Sequence, residues 1–211
     1  MIKTLIVAAT HQEVAPLYNH FKWPKADFIE TRRIDALITG VGMTATAFGL
    51  GLNLPGRYNL ILNLGIAGAF DRSIALGDVV NVTEDTFAEL GAEDKDNFIT
   101  LDELGFGQNT YQYHNFHNFP EMEKMRGVRS ITVNAVHGNT NSITAVVNRL
   151  NPQIESMEGA AVFYAGSMLN IPSIQVRAVS NYVEERNKES WKIGLAIKNL
   201  NEWAIDFLTT T

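Results

Sequence analysis

"YNLILNLGIAGAF" (58–70) is apolar without alternation from Leu60 to Leu64, apart from Asn63, and ends in small residues. A strand with one wet face alternates polar and apolar residues, whereas an unbroken apolar run marks a strand covered on both faces. The stretch therefore reads as a buried strand over 58–65, followed by a glycine turn over 65–70. Similar runs lie on either side: "TLIVAA" (4–9), "IDALIT" (34–39), "RSITVNAV" (129–136) and "PSIQVRAVS" (172–180). "GDVVNVTEDTF" (77–87) reads as a longer strand, antiparallel or bent. Helical patterns fall between them, over 12–21, within 40–54, over 140–150 and through "EGAAVFYAGSML", with a long amphipathic helix at 188–208. Strands alternating with helices predict an α/β fold with a largely parallel sheet flanked by helices. No repeat or linker appears, so 1–211 is expected to be one domain.

Composition narrows the function. The 211 residues carry a net charge of −6 and no Lys/Arg run, which argues against a nucleic-acid surface. With no cysteine, disulfides, a Cys nucleophile and thiolate metal sites are all excluded. The apolar run of "MIKTLIVAATHQEV" is too short for a signal peptide, and no run of roughly 18 apolar residues suggests a membrane span. A soluble cytoplasmic protein is expected.

Residues 88–128 read as a long excursion with an aromatic cluster, Tyr111, Tyr113, Phe116 and Phe119. Such a segment is either a surface excursion covered by its own aromatics or a wall of a ligand site or subunit interface. "GVGMTA" (40–45) fits a loose dinucleotide fingerprint. The acid that should follow about twenty residues on is missing, which favours a tight turn with close helix–sheet packing. His114 and His117 form an H-x-x-H without further ligands at metal spacing, so no metal is expected. His137, at the end of a predicted strand, either lines a pocket or is merely a satisfied polar residue.

Charge also appears at the carboxyl ends of three apolar strands: Glu13, Glu158, and Arg177 with Asn181. In open α/β sheets that end holds the ligand cleft. Two carboxylates and an arginine there can orient a polyhydroxylated ligand and activate a water. A buried structural Glu–Arg pair is the competing reading.

"AATHQEV" (8–14), "LNLGIAGAF" (62–70), "ALGDVV" (75–80), "ESMEGAAV" (155–162) and "IPSIQVRAVSN" (171–181) occur in this order. Together they resemble the purine nucleoside phosphorylase and nucleosidase superfamily, including the methylthioadenosine/S-adenosylhomocysteine nucleosidases. "ELGAED", "ITLDELGF" and "SNYVEERNKESWKIGLA" further resemble the futalosine hydrolases, the hypoxanthine-releasing nucleosidases of menaquinone biosynthesis. The resemblance implies a three-layer phosphorylase/hydrolase-like fold, a purine nucleoside substrate, no cofactor, and a homo-oligomer whose subunits complete one another's sites. It also implies roles: Glu13 holds and deprotonates the attacking water, Glu158 binds ribose hydroxyls, and Arg177 orders the carboxylates. Ile66, Val136, Met157, Ser180 and Trp191 are carried over as substrate contacts.

Two positions depart from adenine-releasing relatives. Asn181 stands where they carry an Asp that protonates N7. A carboxamide cannot do that, but it donates and accepts hydrogen bonds, which suits a 6-oxopurine. Ile66 offers no hydroxyl to phosphate, which favours water as the nucleophile. A methylthioadenosine nucleosidase, a phosphorylase and a non-catalytic nucleoside-binding protein remain as alternatives.

Overall fold

The computed structural model describes residues 2–54, 56–95, 97–113 and 119–210. In chain order the first half comprises β1 (Thr4–Ala8), α1 (His11–His20), β2 (Phe28–Ile29), β3 (Ile34–Ile38), α2 (Met43–Asn53), β4 (Leu60–Ala69) and β5 (Val79–Phe87). The excursion follows as β6 (Gly91–Asp94), β7 (Asn97–Thr100), α3 (Leu101–Leu104), β8 (Thr110–Gln112) and α4 (Pro120–Glu123). The chain ends with β9 (Gly127–Thr132), α5 (Thr140–Leu150), β10 (Ile154–Ser156), α6 (Gly159–Leu169), β11 (Ser173–Tyr182) and α7 (Ile193–Thr210).

Three layers result, as the sequence predicts. Successive residues of β1 face opposite ways. Ile6 and Ala8 pack with Leu62, Val176 and the helices α1 and α7 through Leu17, Leu200 and Phe207. Leu5 and Val7 pack with Ile61 and the helices α2 and α6 through Leu50, Leu54 and Val162. Each Leu, Ile, Val or Phe among them contributes ~1.5–3 kcal/mol when removed from water, before entropy is counted. That two-sided burial is what the unbroken apolar runs encode.

The sheet runs β10-β9-β5-β11-β4-β1-β3-β2, with β8 added to β5. It is mixed. β1–β3, β1–β4, β4–β11, β5–β9 and β9–β10 are parallel, whereas β5–β11, β4–β10, β2–β3 and β5–β8 are antiparallel. Because β10 also pairs with β4, one half of the sheet curls into a closed ring of β4, β11, β5, β9 and β10.

The predicted glycine turn at 65–70 is not a turn. Residues 65–69 continue β4, with β11 alongside them and the last two residues also paired to β10. The glycines serve close approach within the strand rather than chain reversal. β9 stops at Thr132 instead of continuing to 136, because the Asn134 backbone and side-chain N–H groups both donate to Glu89 and draw the chain out of the ladder. α7 starts at Ile193 rather than 188, after a short 3-10 turn at Lys188–Ser190.

The excursion is more structured than expected. β8 extends the sheet, Tyr111 is buried against Val82, Val128 and Phe163, and Phe119 packs on Phe207 in the main core. Phe116, His114 and His117 lie outside the described residues.

Candidate active site

The cleft opens where strands β1, β4, β10 and β11 end. It is a cavity of about 400 Å³ lined by, among others, Glu13, Ile66, Val136, Met157, Glu158, Ser180, Asn181 and Trp191. The structure thus brings eight of the nine sequence-derived site residues to one wall-to-wall space, of a size that suits a small ligand. Arg177 is the exception, because it lies fully buried beneath the cavity.

Glu13 is fixed from three sides. Thr10 caps α1 and accepts from the Glu13 N–H at 3.4 Å, while Glu13 Oε2 accepts from the Thr10 N–H and hydroxyl, both at 2.9 Å. The other oxygen, Oε1, accepts from the Ile66 N–H at 3.2 Å. This is a capping box, spelled out by Thr10-x-x-Glu13, a signal the motif reading passed over. Asn201 anchors the same turn from α7, donating to Glu13 O at 2.8 Å and accepting from Leu17 N–H at 3.0 Å.

Glu158 occupies the N-cap position of α6 but makes no side-chain cap. Its carboxylate turns toward the GVG segment instead, where Oε1 accepts from the Gly42 N–H at 2.9 Å. Gly40 and Gly42 both have positive φ, 87° and 98°, which explains the two glycines better than a dinucleotide does. Burial pushes the Glu158 carboxyl above its usual range, and nearby Glu13 adds to the rise. The Gly42 N–H and the Arg177 charge oppose it.

Arg177 makes no ion pair within 4.0 Å among the described residues. Its Nη2 donates to Asn63 and, at 3.3 Å, to Gln175 Oε1, and its Nε has no hydrogen-bond partner. It acts on Glu13 and Glu158 through its field, which reaches further in a low-dielectric interior than in water. Gly65 makes room for this: a Cβ there would lie 3.1 Å from both Arg177 Nη1 and Glu13 Oε1.

Two groups escaped the sequence reading. Asp85 is wholly buried below the floor, and burial pushes its carboxyl up to about 7. Its Oδ1 accepts from Thr132, whose Oγ1 in turn accepts from the Ala160 N–H in the first turn of α6. Glu155 lines the cleft and is held by His137. A carboxylate inside the short apolar strand "QIESM" was the available clue to it.

Asn181 follows a bulge in β11. Val179 pairs with Ala67 and Asn181 with Gly68, leaving Ser180 as the extra residue. The Ser180 hydroxyl donates to Asn181 Oδ1 at 2.8 Å, and Asn181 Nδ2 donates to Tyr182 O at 3.0 Å. One amide N–H and one lone pair of Asn181 are left uncommitted.

Among the described residues no group of three or more His, Asp or Glu is placed to hold a metal ion, and no helix is long and apolar enough to cross a membrane.

Residues 3–209 match the family described as the Phosphorylase superfamily. The chain belongs to that superfamily. It is 34% identical over 179 residues to a futalosine hydrolase of Streptomyces coelicolor, covering 80% of this chain and 75% of that one. It is 25% identical over 206 residues to a 5'-methylthioadenosine/S-adenosylhomocysteine nucleosidase of Maridesulfovibrio salexigens, covering 87% of each. The fold superposes on the native futalosine hydrolase of Helicobacter pylori with a TM-score of 0.82 at 14% identity, over 100% of this chain and 99% of that one. The two chains therefore share their fold.

Proposed function

We propose that this chain hydrolyses the N-glycosidic bond of futalosine, releasing hypoxanthine and dehypoxanthine futalosine. The observation that carries the reading is the convergence of Glu13, Glu158 and Asn181 on one cavity in a chain 34% identical to a futalosine hydrolase. Glu13 holds a water and takes its proton as the oxygen attacks C1′. Glu158 accepts from the ribose hydroxyls, and that bond strengthens as the sugar gains oxocarbenium character, so it lowers the barrier rather than merely tightening binding. The C1′–N9 bond breaks with its electron pair going to the purine. Asn181 donates to the O6/N7 edge of the departing 6-oxopurine, which tolerates the negative charge better than adenine does. Met157 packs on the sugar, while Ile66 and Trp191 supply apolar wall.

Arg186 is the one Lys or Arg lining the cavity among the described residues. Its guanidinium carbon lies 5.3 Å from the centre of the Trp191 ring. We assign it to the carboxylate on the far arm of the substrate; Lys188 and Lys192 do not line the cavity.

The reading includes a cytoplasmic homo-oligomer. Support for self-association comes from the outer face of α2 and α6, where Phe48, Leu52, Tyr164 and Met168 are exposed.

The test is chromatography of products after incubation with futalosine, inosine and methylthioadenosine, each with and without phosphate. Hypoxanthine from futalosine without phosphate is the expected result. A phosphate requirement would make the chain a phosphorylase, and adenine from methylthioadenosine would favour the function of the M. salexigens relative. Nucleoside retained without turnover would make it a binding protein.

A further inference from the structure

Asp85 is wholly buried and takes no part in the hydrolysis proposed above, yet it meets the helix headed by Glu158 at its first turn. A Cβ on Gly159, the first residue of α6, would lie 2.1 Å from Asp85 Oδ2 and 2.3 Å from Gln175 Oε1. Only a residue without a side chain lets the helix come this close to the two oxygens.

The Gly159–Ala160 peptide is gripped by both of its polar groups. Its N–H donates to Thr132 Oγ1 at 2.7 Å, and its carbonyl accepts from Gln175 Nε2 at 2.8 Å. Thr132 in turn donates its one hydroxyl proton to Asp85 Oδ1 at 2.9 Å. Gln175 Oε1 accepts from Arg177 Nη2 at 3.3 Å, which fixes the direction of the amide. The oxygen of Gln175 therefore shares the Gly159 gap with Asp85 Oδ2, and that Oδ2 receives no hydrogen bond among the described residues. Two oxygens set together in a dry interior need a proton between them. A neutral carboxyl supplies it: Oδ2–H donates to Gln175 while Oδ1 still accepts from Thr132. Burial pushes the Asp85 carboxyl up to about 7, in keeping with that form.

We propose that Asp85, neutral and bonded to both Thr132 and Gln175, is a positioning residue that locks the Gly159–Ala160 peptide and so aims the adjoining Glu158 carboxylate into the cleft. Glu158 makes no side-chain cap to fix this turn, so the grip comes from β5, β9 and β11. Ionised Asp85 breaks it. The carboxylate has no proton for Gln175, and it adds a third negative charge, with Glu13 and Glu158, around Arg177. The other polar groups set about Asp85 are the Thr132 and Ser130 hydroxyls of β9 and, opposite it on β8, Tyr111. The inference rests on the hydrolase reading for what Glu158 does, though not for the grip itself.

Steady-state kinetics with futalosine, run as a pH profile on Asp85→Asn and Asp85→Leu, tests it. Asp85→Asn reproduces the neutral pattern, an oxygen for Thr132 and an N–H for Gln175, and is expected to keep kcat within about threefold below neutral pH. Asp85→Leu removes both bonds and is expected to lower kcat at least about tenfold with little change in KM, because a misaimed carboxylate fails mainly in the transition state. In the unsubstituted protein kcat is expected to decline as pH rises through about 7, and Asp85→Asn is expected to lack that decline. Thr132→Val, which is isosteric and breaks the same grip, is expected to lower kcat likewise, and it supplies the comparison if Asp85→Leu does not fold. Equal losses in Asp85→Asn and Asp85→Leu would overturn the inference. So would normal kcat in folded Asp85→Leu or Thr132→Val, or an alkaline decline unchanged in Asp85→Asn. Amide hydrogen exchange at Ala160 keeps the two readings apart. If the unsubstituted protein does not cleave futalosine, the hydrolase reading fails; protection kept in Asp85→Asn and lost in Asp85→Leu then supports the grip, and equal protection in all three overturns it.

Discussion

The cleft and the outer face of the α2–α6 pair are built on the same two helices and invert opposite rules. At the cleft the helices begin: Gly42, the N-cap of α2, donates its N–H to Glu158, the N-cap of α6. There, charge is buried. On the outer face Phe48 and Leu52 of α2, and Tyr164 and Met168 of α6, recur at helical spacing of four and remain 43–70% exposed. There, apolar surface is wet. A buried charge and an exposed apolar patch both cost free energy in the isolated chain. Each cost would fall with a second molecule in place, and the ones proposed above are a nucleoside in the cleft and a second copy of the chain on the face. Departure from the ordinary inside–outside pattern thus locates function from either direction.

The largest expected effect is at the cleft. Glu13→Gln is expected to abolish hydrolysis while leaving nucleoside binding largely intact, as steady-state kinetics and calorimetry would show. Joint loss of binding and folding would make Glu13 no more than the capping partner of Thr10. Next comes Glu158→Gln, with a fall of two to three orders of magnitude in kcat, about 3–4 kcal/mol of transition-state stabilisation. Near-normal turnover would reduce Glu158 to a buried structural acid and remove one side of the contrast.

Asn181→Asp sharpens the contrast within the cleft. Its carboxylate repels O6 and no longer donates, so kcat/KM for futalosine relative to its 6-amino analogue is expected to drop at least about tenfold. An unchanged ratio would mean that Asn181 does not face the base.

Asp85 tests buried charge away from the ligand. Its carboxyl is pushed from 3.8 to about 7 on folding, so it ionises more readily in the unfolded chain. The stability tied to its neutral form is complete below about pH 4 and is lost as pH rises through about 7. Asp85→Asn keeps an acceptor for Thr132 and removes the ionisation. Its Tm is expected to exceed that of the unsubstituted protein at pH 8 by at least ~3 °C, about 1 kcal/mol, with a smaller gain at pH 5. Equal gains at the two pH values would show that Asp85 does not titrate in this window.

The smallest effect on stability belongs to the outer face. Leu52→Ser is expected to change thermal stability of the separated chain by no more than ~0.5 kcal/mol, because Leu52 is 67% exposed. Sedimentation should nevertheless shift toward a smaller species. An unchanged oligomeric state would leave the patch without the partner inferred for it.

Local pattern was enough for the strands and helices that form the layers. β1, β3 and β11 appear where largely apolar runs require two-sided burial, and α5 spans 140–150 as its helical pattern predicts. The apolar runs likewise put Glu13, Glu158 and Asn181 at the carboxyl ends of strands, because the residues before them are largely apolar and the chain must leave the core there. Hydrogen bonds between distant segments decided the rest. Residues 65–69 have the small, glycine-rich look of a turn, yet strands β10 and β11 hold them extended from both sides. Tyr111 and Phe119 read as cover for a loop, but pairing of β8 with β5 and the docking of α7 carry them into the core. Arg177 is spaced like a site residue and lies under the floor, because its position in β11 directs it toward Asn63 and Gln175. Glu155, Gly68 and Asn181 form one row across β10, β4 and β11 only because three strands far apart in sequence share one register, and register belongs to the assembled sheet rather than to any one strand.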